Sequence, residues 1–509
     1  MSKKALLSVY DKTGIVAFAK KLDDMGFELL SSGGTSAALE DAGMSVTKVE
    51  EVTGFPEMLN GRVKTLHPMI HGGILYEMGK HEKEVEAHGL PDIDLVAVNL
   101  YPFKDVVGKE HTLEDAVEKI DIGGVALIRA AAKNHERVVV VVSPSDYDRV
   151  VEDMEEHGEV TEGTKKLLAV EAFQHTADYD TAIYDYFQKR YVGEDFPQWY
   201  TAVGEKVQDL RYGENPNQKA AFYHTETTSE SSVLKANKLH GKKLSYNNIL
   251  DLDSALDMVK DFDEPTVAAV KHTNPSGIAS GEDLKEAYVK AHACDPISIF
   301  GGVVAANRPI PRDMAEEMNK IFLEGVIAPG YLDGAEEVLM KKKNIRVMEL
   351  ETWEPEPQGV VYAKVAEGLL VQDRNFKRLN IDDVEVVSER DPTEEEMKAM
   401  EFAWKVVKHV KSNAIVFTRE DHTVGIGAGQ MSRVDSVKIA QMKAQSDTSG
   451  CVMASDAFFP FRDGVDAAYE AGITAVIQPG GSIRDQQVID AINEHDMSMV
   501  FTGYRVFKH

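Results

Sequence analysis

The segment LLSSGGTSAALEDAG, residues 29–43, joins an apolar run to a turn of small residues and then to a helical pattern. A strand, a turn and a helix in succession are the repeating unit of an α/β sheet. Gly33 and Gly34 let the backbone approach a ligand closely, and Thr35 or Ser36 can cap the helix. The N–H groups and the dipole at that helix end favour a phosphate. Taken alone, the segment fits a turn that binds nothing equally well.

The same alternation continues on both sides of this segment. Short β-branched runs are separated by helical patterns, one of which is closed by Gly43. This order predicts an α/β fold with a parallel sheet. The predicted strands of the first part are residues 5–9, 27–30, 95–100 and 138–142, with a helix over 36–42.

A second α/β series begins near Leu210. It follows a long helical stretch over 163–190 and an irregular stretch over 191–209. We therefore predict one domain over residues 1–199 and another over 200–509. Since about 300 residues exceed one typical core, the second domain should contain two subdomains. Its predicted strands are 266–270, 302–306, 325–328, 414–418, 452–455, 474–477 and 498–502, and its clearest helices are 393–410 and 485–494.

The composition narrows the class of function. The 509 residues carry a formal net charge of −29, which disfavours nucleic acid and anionic membranes as partners. An anionic ligand then needs local basic side chains and backbone N–H groups. We find no apolar run long enough for a transmembrane helix and no signal region. The two cysteines, Cys294 and Cys451, are far apart, which disfavours a disulfide scaffold or a cysteine-rich zinc site and indicates a reducing, cytoplasmic compartment.

Two further polar motifs lie in the first half of the chain. GRVKTLHPMIHGG, residues 61–73, contains Arg62 and Lys64, which point to the same side of an extended segment. NLYPF places Asn99 and Tyr101 just past a strand, where ligands bind in parallel sheets. Each motif alone is also explained by a solvated face.

A third motif, DIGGVALIRAAAKNH, spans residues 121–135. Asp121 precedes a Gly-Gly helix start, and Arg129 and Lys133 lie one turn apart on that helix. A capping device would also explain this pattern. Together with the glycine turn and the two motifs above, it predicts a site for a phosphorylated, polar small molecule.

The second half contains VKHTNPSG, residues 270–277. The apolar run 266–270 stops at Lys271 and His272, and residues 274–277 are predicted to form a tight turn. Two side chains that handle protons are thus held at a strand end, as acid–base chemistry requires. An exposed Lys-His pair at a strand terminus is the alternative.

These motifs resemble one family along the whole chain. SVYDKTG, SSGGT, GRVKTLHP, NLYPF and DIGG…RAAAKNH are similar to the N-terminal half of the bifunctional AICAR transformylase/IMP cyclohydrolase family of purine biosynthesis. RYGENPNQ, SYNN, VKHTNPSG, FGGVVAAN, SNAIVF, GIGAGQMSR, SDAFFPFRD and PGGSIRD are similar to its C-terminal half. The resemblance implies a methylglyoxal-synthase-like parallel-sheet domain, followed by a transformylase unit of two cytidine-deaminase-like α/β subdomains.

The resemblance implies a formyl transfer from 10-formyltetrahydrofolate, as co-substrate, to the 5-amino group of AICAR. It makes His272 the base, Lys271 its support, and Asn413 the holder of the formyl oxygen. Phe458 or Phe459 could pack on a flat ring, although core packing is the expected role of at least one. The substrate contacts implied in this half are Arg211, Tyr212, Gly301, Phe459, Asp463 and Arg505.

For the first half, the resemblance implies ring closure of formyl-AICAR to IMP with loss of water. Lys64, Tyr101, Asp121 and Lys133 would surround the reacting groups. The phosphate, ribose and base contacts would be Ser8, Lys12, Ser32, Gly34, Thr35, Arg62, Thr65, Asn99, Gly123 and Gly124. A homodimer that shares the transformylase site is implied, with no tightly bound metal expected.

Two positions depart from the family pattern, and three other classes of function stay open. Gly330 stands where the family often has an acidic residue, and Val506 where some relatives have a polar one; both weaken the assignment of peripheral folate contacts. A zinc deaminase needs His or Cys ligands with H-x-E and P-C-x-x-C spacing, and with two separated cysteines this chain lacks that set. A lyase acting on a phosphorylated triose would not explain the second half. A nucleotide-sensing protein would not need the Lys-His pair.

Overall fold

A computed structural model describes residues 3–225, 228–375 and 377–509. The chain divides into two compact units, one running up to Val203 and the other from Gly204 to His509. Each unit has its own layers of helix and sheet.

The first unit is built on a five-stranded sheet in which all pairings are parallel, with the order β3-β2-β1-β4-β5. Its strands are β1 (Lys4–Val9), β2 (Glu28–Ser31), β3 (Thr47–Lys48), β4 (Ile93–Asn99) and β5 (Val139–Val141). Its helices are α1 (Ile15–Asp24), α2 (Gly33–Asp41), α3 (Val49–Thr53), α4 (Pro68–Leu75), α5 (Glu82–His88), α6 (Phe103–Val107), α7 (Leu113–Glu118), α8 (Gly123–Lys133), α9 (Tyr147–His157) and α10 (Glu162–Phe187).

The strand order reverses at β1, which pairs with β2 on one side and β4 on the other. The central strands are nearly continuous apolar runs because helices cover both faces of a parallel sheet. Leu6 of β1, for example, is fully buried and pairs with Leu30 and Val96. In such sheets the carboxyl ends of the strands at the reversal form a crevice that binds ligands. The fold therefore directs attention to the residues that follow β1 and β4.

The second unit contains two six-stranded mixed sheets with one topology, β10-β9-β11-β12-β13-β8 and β18-β17-β19-β20-β21-β16. The first half comprises β8 (Asn237–His240), α11 (Tyr246–Val259), β9 (Thr266–Lys271), β10 (Asn274–Ser280), α12 (Leu284–Cys294), β11 (Val303–Ala306), α13 (Arg312–Met318), β12 (Gly325–Ala328), α14 (Ala335–Met340) and β13 (Arg346–Glu349). The second comprises β16 (Glu385–Val386), α15 (Glu394–Val407), β17 (Ile415–Thr418), β18 (Thr423–Gly427), α16 (Arg433–Lys443), β19 (Val452–Ser455), α17 (Asp463–Glu470), β20 (Ala475–Gln478), α18 (Asp485–Glu494) and β21 (Ser498–Phe501).

The order of strands and helices is thus repeated within this unit, and the predicted α/β class is confirmed. Two further hairpins flank the halves, β6 (Glu205–Leu210) with β7 (Ala220–His224) and β14 (Val360–Val365) with β15 (Gly368–Asp373).

The two half-sheets meet along their edge strands β10 and β18. The N–H of Ser280 donates to the carbonyl of Asp421 at 2.7 Å, and the N–H of Ile278 donates to Oγ1 of Thr423 at 3.0 Å. Helices α11 and α15 contribute Leu256 and Trp404 to one core cluster that also contains strand residues of both sheets. The edge contact and the shared core explain why the two halves form one unit.

One element differs from the sequence prediction. Residues 274–277 do not form the turn; they begin β10, and the turn is the two-residue link His272–Thr273. Pro275 and Gly277 mimic a turn signal, but a proline is tolerated in an edge strand or at a bulge. Here the pairing register shifts between Pro275 and Gly277.

Candidate active sites

A cavity of about 530 Å³ lies at the carboxyl ends of β1, β2 and β4, beside the N-terminus of α8. Every predicted site residue of the first unit except Lys133 lines it. These are Ser8, Lys12, Ser32, Gly34, Thr35, Arg62, Lys64, Thr65, Asn99, Tyr101, Asp121, Gly123 and Gly124. The fold therefore brings together motifs that are up to about a hundred residues apart in the sequence.

One end of this cavity is suited to an anion. Helix α2 begins at Gly33, which has a φ of 54°. Gly34 and Thr35 of its first turn line the cavity, so the free N–H groups of that turn adjoin it. A Cβ at Gly34 would stand 3.6 Å from Nζ of Lys12, and one at Gly33 would stand 2.9 Å from Nζ of Lys64. Two ammonium groups thus lie against a helix N-terminus, and this combination favours a phosphate.

Thr35 and Asn99 hold the backbone of this site. Oγ1 of Thr35 accepts from the N–H of Val9 and donates to the carbonyl of Val9, both at 3.0 Å. Oδ1 of Asn99 accepts from the N–H groups of Tyr10 and Asp11 at 2.6 and 2.9 Å. The Thr35 hydroxyl is therefore engaged by β1, which leaves its backbone N–H for a ligand.

Asp121 provides a partly desolvated carboxyl group in the same cavity. Its Oδ1 accepts from the N–H of Gly124 at 2.7 Å, and burial raises the pKa of this carboxyl. A Cβ at Gly124 would stand 2.8 Å from both Oδ2 of Asp121 and Cδ2 of Leu100, so any larger residue would displace one of these side chains. A carboxyl with a raised pKa is suited to proton transfer near neutral pH.

Three charged residues near the cavity were not predicted from the sequence: Lys119, Glu57 and Glu118. Nζ of Lys119 lies 5.4 Å from the ring centre of Tyr101, and Nζ of Lys64 lies 3.2 Å from a carboxylate oxygen of Glu57. Arg62 forms an ion pair with Glu118. Lys119 follows α7 and carries no local motif, so only the fold reveals its position.

Lys133 is not brought to this cavity. It ends α8, while Gly123 at the start of the same helix lines the cavity. Ten residues of helix separate the two by about 15 Å. Lys133 instead borders a shallow depression with His71, Arg129 and Phe173. Its assignment to the reacting groups stays a prediction.

The Lys271–His272 pair lies at the tip of the β9–β10 hairpin. His272 and Thr273 have φ values of 54° and 61°, which define a two-residue turn with both central residues in the left-handed region. Nζ of Lys271 donates to the carbonyl of Phe300 at 2.8 Å. Oδ1 of Asp251 accepts from the N–H of Thr273 at 2.7 Å, and burial raises the pKa of Asp251.

Lys271 and Asn274 line a second cavity, of about 350 Å³, between the two halves of the second unit. Gln430, Cys294 and Lys443 contribute to the same wall. The side chain of His272 is exposed and does not line it. Any ligand that contacts both Lys271 and His272 must therefore lie across the hairpin tip.

Asn413 is joined to this region through the backbone. Its N–H donates to the carbonyl of Gln430 at 3.1 Å, and the N–H of Lys411 donates to Oδ1 of Asn274 at 3.0 Å. Oδ1 of Asn413 accepts from Nη2 of Arg433 at 2.9 Å, and Arg433 also forms a buried ion pair with Asp456. The amide nitrogen of Asn413 is left as a donor, since it makes no hydrogen bond within the described parts of the chain.

The remaining predicted contacts of the second unit are dispersed. The guanidinium of Arg211 lies 5.5 Å from the ring centre of Tyr212, and that of Arg505 lies 4.7 Å from the ring of Phe507. Gly301 follows Phe300 and has a φ of 74°. Asp463 is exposed at the start of α17. None of these predicted residues lines the cavity that contains Lys271.

The side chain of Phe459, a predicted substrate contact, is buried in this structure. It is 1% exposed and packs in the core beneath α17, where a Cβ at Gly464 would stand 2.6 Å from its ring. Phe458, 40% exposed, has the ring that is free to contact a ligand. Adjacent residues on an extended chain face opposite sides, so one of the pair was bound to face the core.

The two departures from the family pattern have structural explanations. Val506 is buried in the core that the two halves share, and its N–H donates to the carbonyl of Asp456 at 2.9 Å. A Cβ added to Gly330 would stand 3.8 Å from Oε1 of Glu349. A carboxylate is thus already present next to the position where the family often carries one.

Neither a metal cluster nor a membrane span is found in the described chain. Within residues 3–225, 228–375 and 377–509, no group of three or more His, Cys, Asp or Glu side chains is placed to hold a metal ion. Among the helices of those ranges, none has the length and apolar character needed to cross a membrane.

The fold and the two cavities define an α/β enzyme with two candidate active sites, one of them suited to a phosphorylated ligand. Residues 14–126 match the family model of the MGS-like domain, and residues 131–443 match that of the AICARFT/IMPCHase bienzyme. The chain belongs to the AICARFT/IMPCHase bienzyme family. It is a bifunctional enzyme of purine biosynthesis, which confirms the resemblance and the function predicted from its motifs.

Full-length relatives support this assignment. Bifunctional purine biosynthesis protein PurH of Acetivibrio thermocellus is 52% identical over 514 residues, which covers all of both chains. The protein of the same name from Bacillus mycoides is 52% identical, and that from Oceanobacillus iheyensis is 51% identical, each over 512 residues and all of both chains.

Proposed function

We propose that the cavity of the first unit closes formyl-AICAR to IMP. The phosphate would lie at the start of α2, beside Lys12, where helix N–H groups and an ammonium group adjoin. The heterocycle would then extend toward Tyr101 and Asp121, which line the same cavity. This orientation places the negative end of the substrate on the basic end of the cavity.

Ring closure needs positioning and proton transfer. The carboxamide nitrogen attacks the formyl carbon of the same molecule, a C–N bond forms, and the formyl oxygen leaves as water. Because the reaction is intramolecular, holding the folded substrate supplies much of the acceleration. Asp121, whose pKa is raised by burial, is suited to take the amide proton, and Lys64 to stabilise charge on the formyl oxygen.

In the second unit, we propose formyl transfer at the hairpin tip. The 5-amino nitrogen of AICAR bonds to the formyl carbon of 10-formyltetrahydrofolate as the bond from N10 breaks. The neutral imidazole of His272 takes a proton from the amine, and a proton reaches N10 of the leaving tetrahydrofolate with help from Lys271. The Asn413 amide nitrogen donates to the formyl oxygen while charge develops there.

The transformylase site is completed by a second copy of the chain in this proposal. His272, Arg211 and Arg505 are exposed and do not share one cavity in the single chain. Met431 and Ile483 are fully exposed apolar side chains of the same unit. We expect a homodimer, with a mass twice the 56.2 kDa of one chain by light scattering. A monomer with full transformylase activity would contradict this expectation.

Each of the two reactions is assigned to one part of the chain. We assign cyclohydrolase to residues 1–199 and transformylase to residues 200–509, acting in the cytoplasm on small molecules, without nucleic acid, membrane or a tightly bound metal. The strongest support is the convergence of the predicted phosphate, ribose and base contacts on one cavity. Separate expression of the two parts, divided near Val203, should separate the two activities.

The decisive assay follows tetrahydrofolate and IMP after AICAR and 10-formyltetrahydrofolate are mixed with the full chain. Lys271→Ala/His272→Ala should abolish tetrahydrofolate release and leave closure of added formyl-AICAR intact. Lys64→Ala should do the reverse. Formyl transfer that persists in the Lys271→Ala/His272→Ala protein would reject the assignment.

A further inference from the structure

The turn that carries His272 has an unusual backbone. Two-residue hairpin turns with both φ values positive favour Asn and Gly, yet this one uses His272 and Thr273. A β-branched residue at positive φ is a genuine outlier, and such a conformation persists only where the surrounding structure enforces it. The surrounding structure must therefore hold this turn in place.

Asp251 is placed to do so from the helix beneath the hairpin. Its carboxylate accepts the N–H of Thr273 at 2.7 Å and also interacts with the N–H of His272. Asp251 belongs to α11, whose neighbouring residue Leu252 is fully buried in the core. The carboxylate is thus fixed to a rigid element and not to a mobile loop.

The other contacts of the turn come from the hairpin itself. Oγ1 of Thr273 donates to the carbonyl of His272 at 2.7 Å, and Nδ2 of Asn274 donates to the same carbonyl at 3.2 Å. Both bonds engage the carbonyl side of the turn. The N–H side depends on Asp251, which is therefore its link to the core.

We infer that Asp251 is a positioning residue for formyl transfer, which holds the His272–Thr273 turn in its left-handed conformation and so aims the imidazole of His272. The inference rests on the proposed role of His272. Asp251 does not contact the reacting atoms. Its removal lets the turn relax toward ordinary φ values, which displaces the imidazole while the rest of the unit stays folded.

The test compares Asp251→Ala with the suppressor Thr273→Gly in the full chain. Asp251→Ala should lower kcat for formyl transfer about 10- to 100-fold with little change in KM for AICAR, since displacement of a reacting group by about 1 Å can cost that much. Glycine adopts positive φ without strain. The kcat of Asp251→Ala/Thr273→Gly for formyl transfer should therefore be at least about tenfold higher than that of Asp251→Ala.

Two controls separate positioning from folding. Asp283 also accepts a backbone N–H, that of Glu286 at 2.8 Å, but at the start of α12, so Asp283→Ala should leave formyl transfer within about twofold. Closure of formyl-AICAR by the same preparation reports the concentration of folded protein. Asp251→Asn retains an acceptor oxygen and should keep more activity than Asp251→Ala.

The outcomes are distinct. An unchanged kcat in Asp251→Ala, or no recovery by Thr273→Gly, overturns the inference and leaves the proposed function standing. Formyl transfer that survives in His272→Ala overturns the proposed function, whatever Asp251 does. If Asp251→Ala does not fold, the comparison of Asp251→Asn with Asp251→Asn/Thr273→Gly decides by the same criterion.

Discussion

Oδ1 of Asn413 accepts a hydrogen bond from Nη2 of Arg433 at 2.9 Å. The guanidinium is itself held by Asp456, which is fully buried, and by Oγ of Ser455 at 2.7 Å. The orientation of the amide is thus determined by a buried ion pair, and its nitrogen is presented as a donor. This arrangement assigns to Asn413 a role that an aspartate of the same shape cannot perform.

Asn413→Asp should therefore remove formyl transfer without unfolding the second unit. The carboxylate still accepts from Arg433 but offers no donor to the formyl oxygen. Loss of one donor of this kind costs about 10²–10³ in kcat. Steady-state release of tetrahydrofolate measures the effect, and thermal unfolding checks the fold. Asn413→Asp activity within a few fold of the parent would show that the amide does not bind the formyl oxygen.

Asp121 makes the stability of the first unit depend on pH. Because burial raises its pKa, the folded protein binds the carboxyl proton more tightly than the unfolded chain does. The tighter proton binding at Asp121 contributes to the free energy of unfolding. This contribution is fully present below the ordinary Asp pKa of about 3.9 and is lost as the pH rises through the pKa of Asp121 in the folded protein. Asp121→Asn keeps an acceptor for the N–H of Gly124 and has no charge to bury.

The melting temperature of Asp121→Asn relative to the parent should consequently increase between about pH 4 and pH 7, as calorimetry of the full chain would measure. The same variant should lose cyclohydrolase activity and retain formyl transfer. A difference in melting temperature that shrinks with rising pH would mean that burial does not raise the pKa of this carboxyl.

Much of the fold follows from local sequence. The strands Gly325–Ala328 and Val452–Ser455 and the helix Asp485–Glu494 have the predicted bounds, since an apolar run or an amphipathic period specifies each. The strand Asn274–Ser280 was missed because Pro275 and Gly277 carry a turn signal. The edge position of that strand, which tolerates both, is a property of the tertiary fold.

The residues of the candidate sites also fall into two groups, those that a local motif predicts and those that only the tertiary fold identifies. Residues that line the first cavity from a turn or a helix start, such as Gly34 and Asp121, stand in short motifs and were predicted. Asp251 and Lys119 act through contacts with residues distant in the chain or from an adjacent element, and they carry no local pattern. Nor could the sequence decide which of Phe458 and Phe459 faces the core.

The Thr35 hydroxyl should matter for stability more than its place in a phosphate turn suggests. Thr35 is 3% exposed, and its hydroxyl serves both the N–H and the carbonyl of Val9. Thr35→Val leaves buried polar groups unpaired, which costs about 1–3 kcal/mol. Chemical denaturation should show this loss, while Thr35→Ser, which keeps the hydroxyl, should lose less. A larger loss in Thr35→Ser than in Thr35→Val would mean that the methyl group, and not the hydroxyl, stabilises the turn.

Gly124 sets the shape of the cyclohydrolase cavity beside the Asp121 carboxylate. A Cβ there would meet Asp121 and Leu100 at 2.8 Å, and Leu100 is buried while Asp121 is only partly so. Gly124→Ala should therefore displace the Asp121 carboxylate and lower cyclohydrolase kcat at least about tenfold, while formyl transfer in the same chain is unaffected. Gly163→Ala is the matched control, because a Cβ at that helical position meets nothing within 4 Å. It should leave both activities unchanged. Cyclohydrolase activity in Gly124→Ala equal to that in Gly163→Ala would show that the carboxylate position does not limit ring closure.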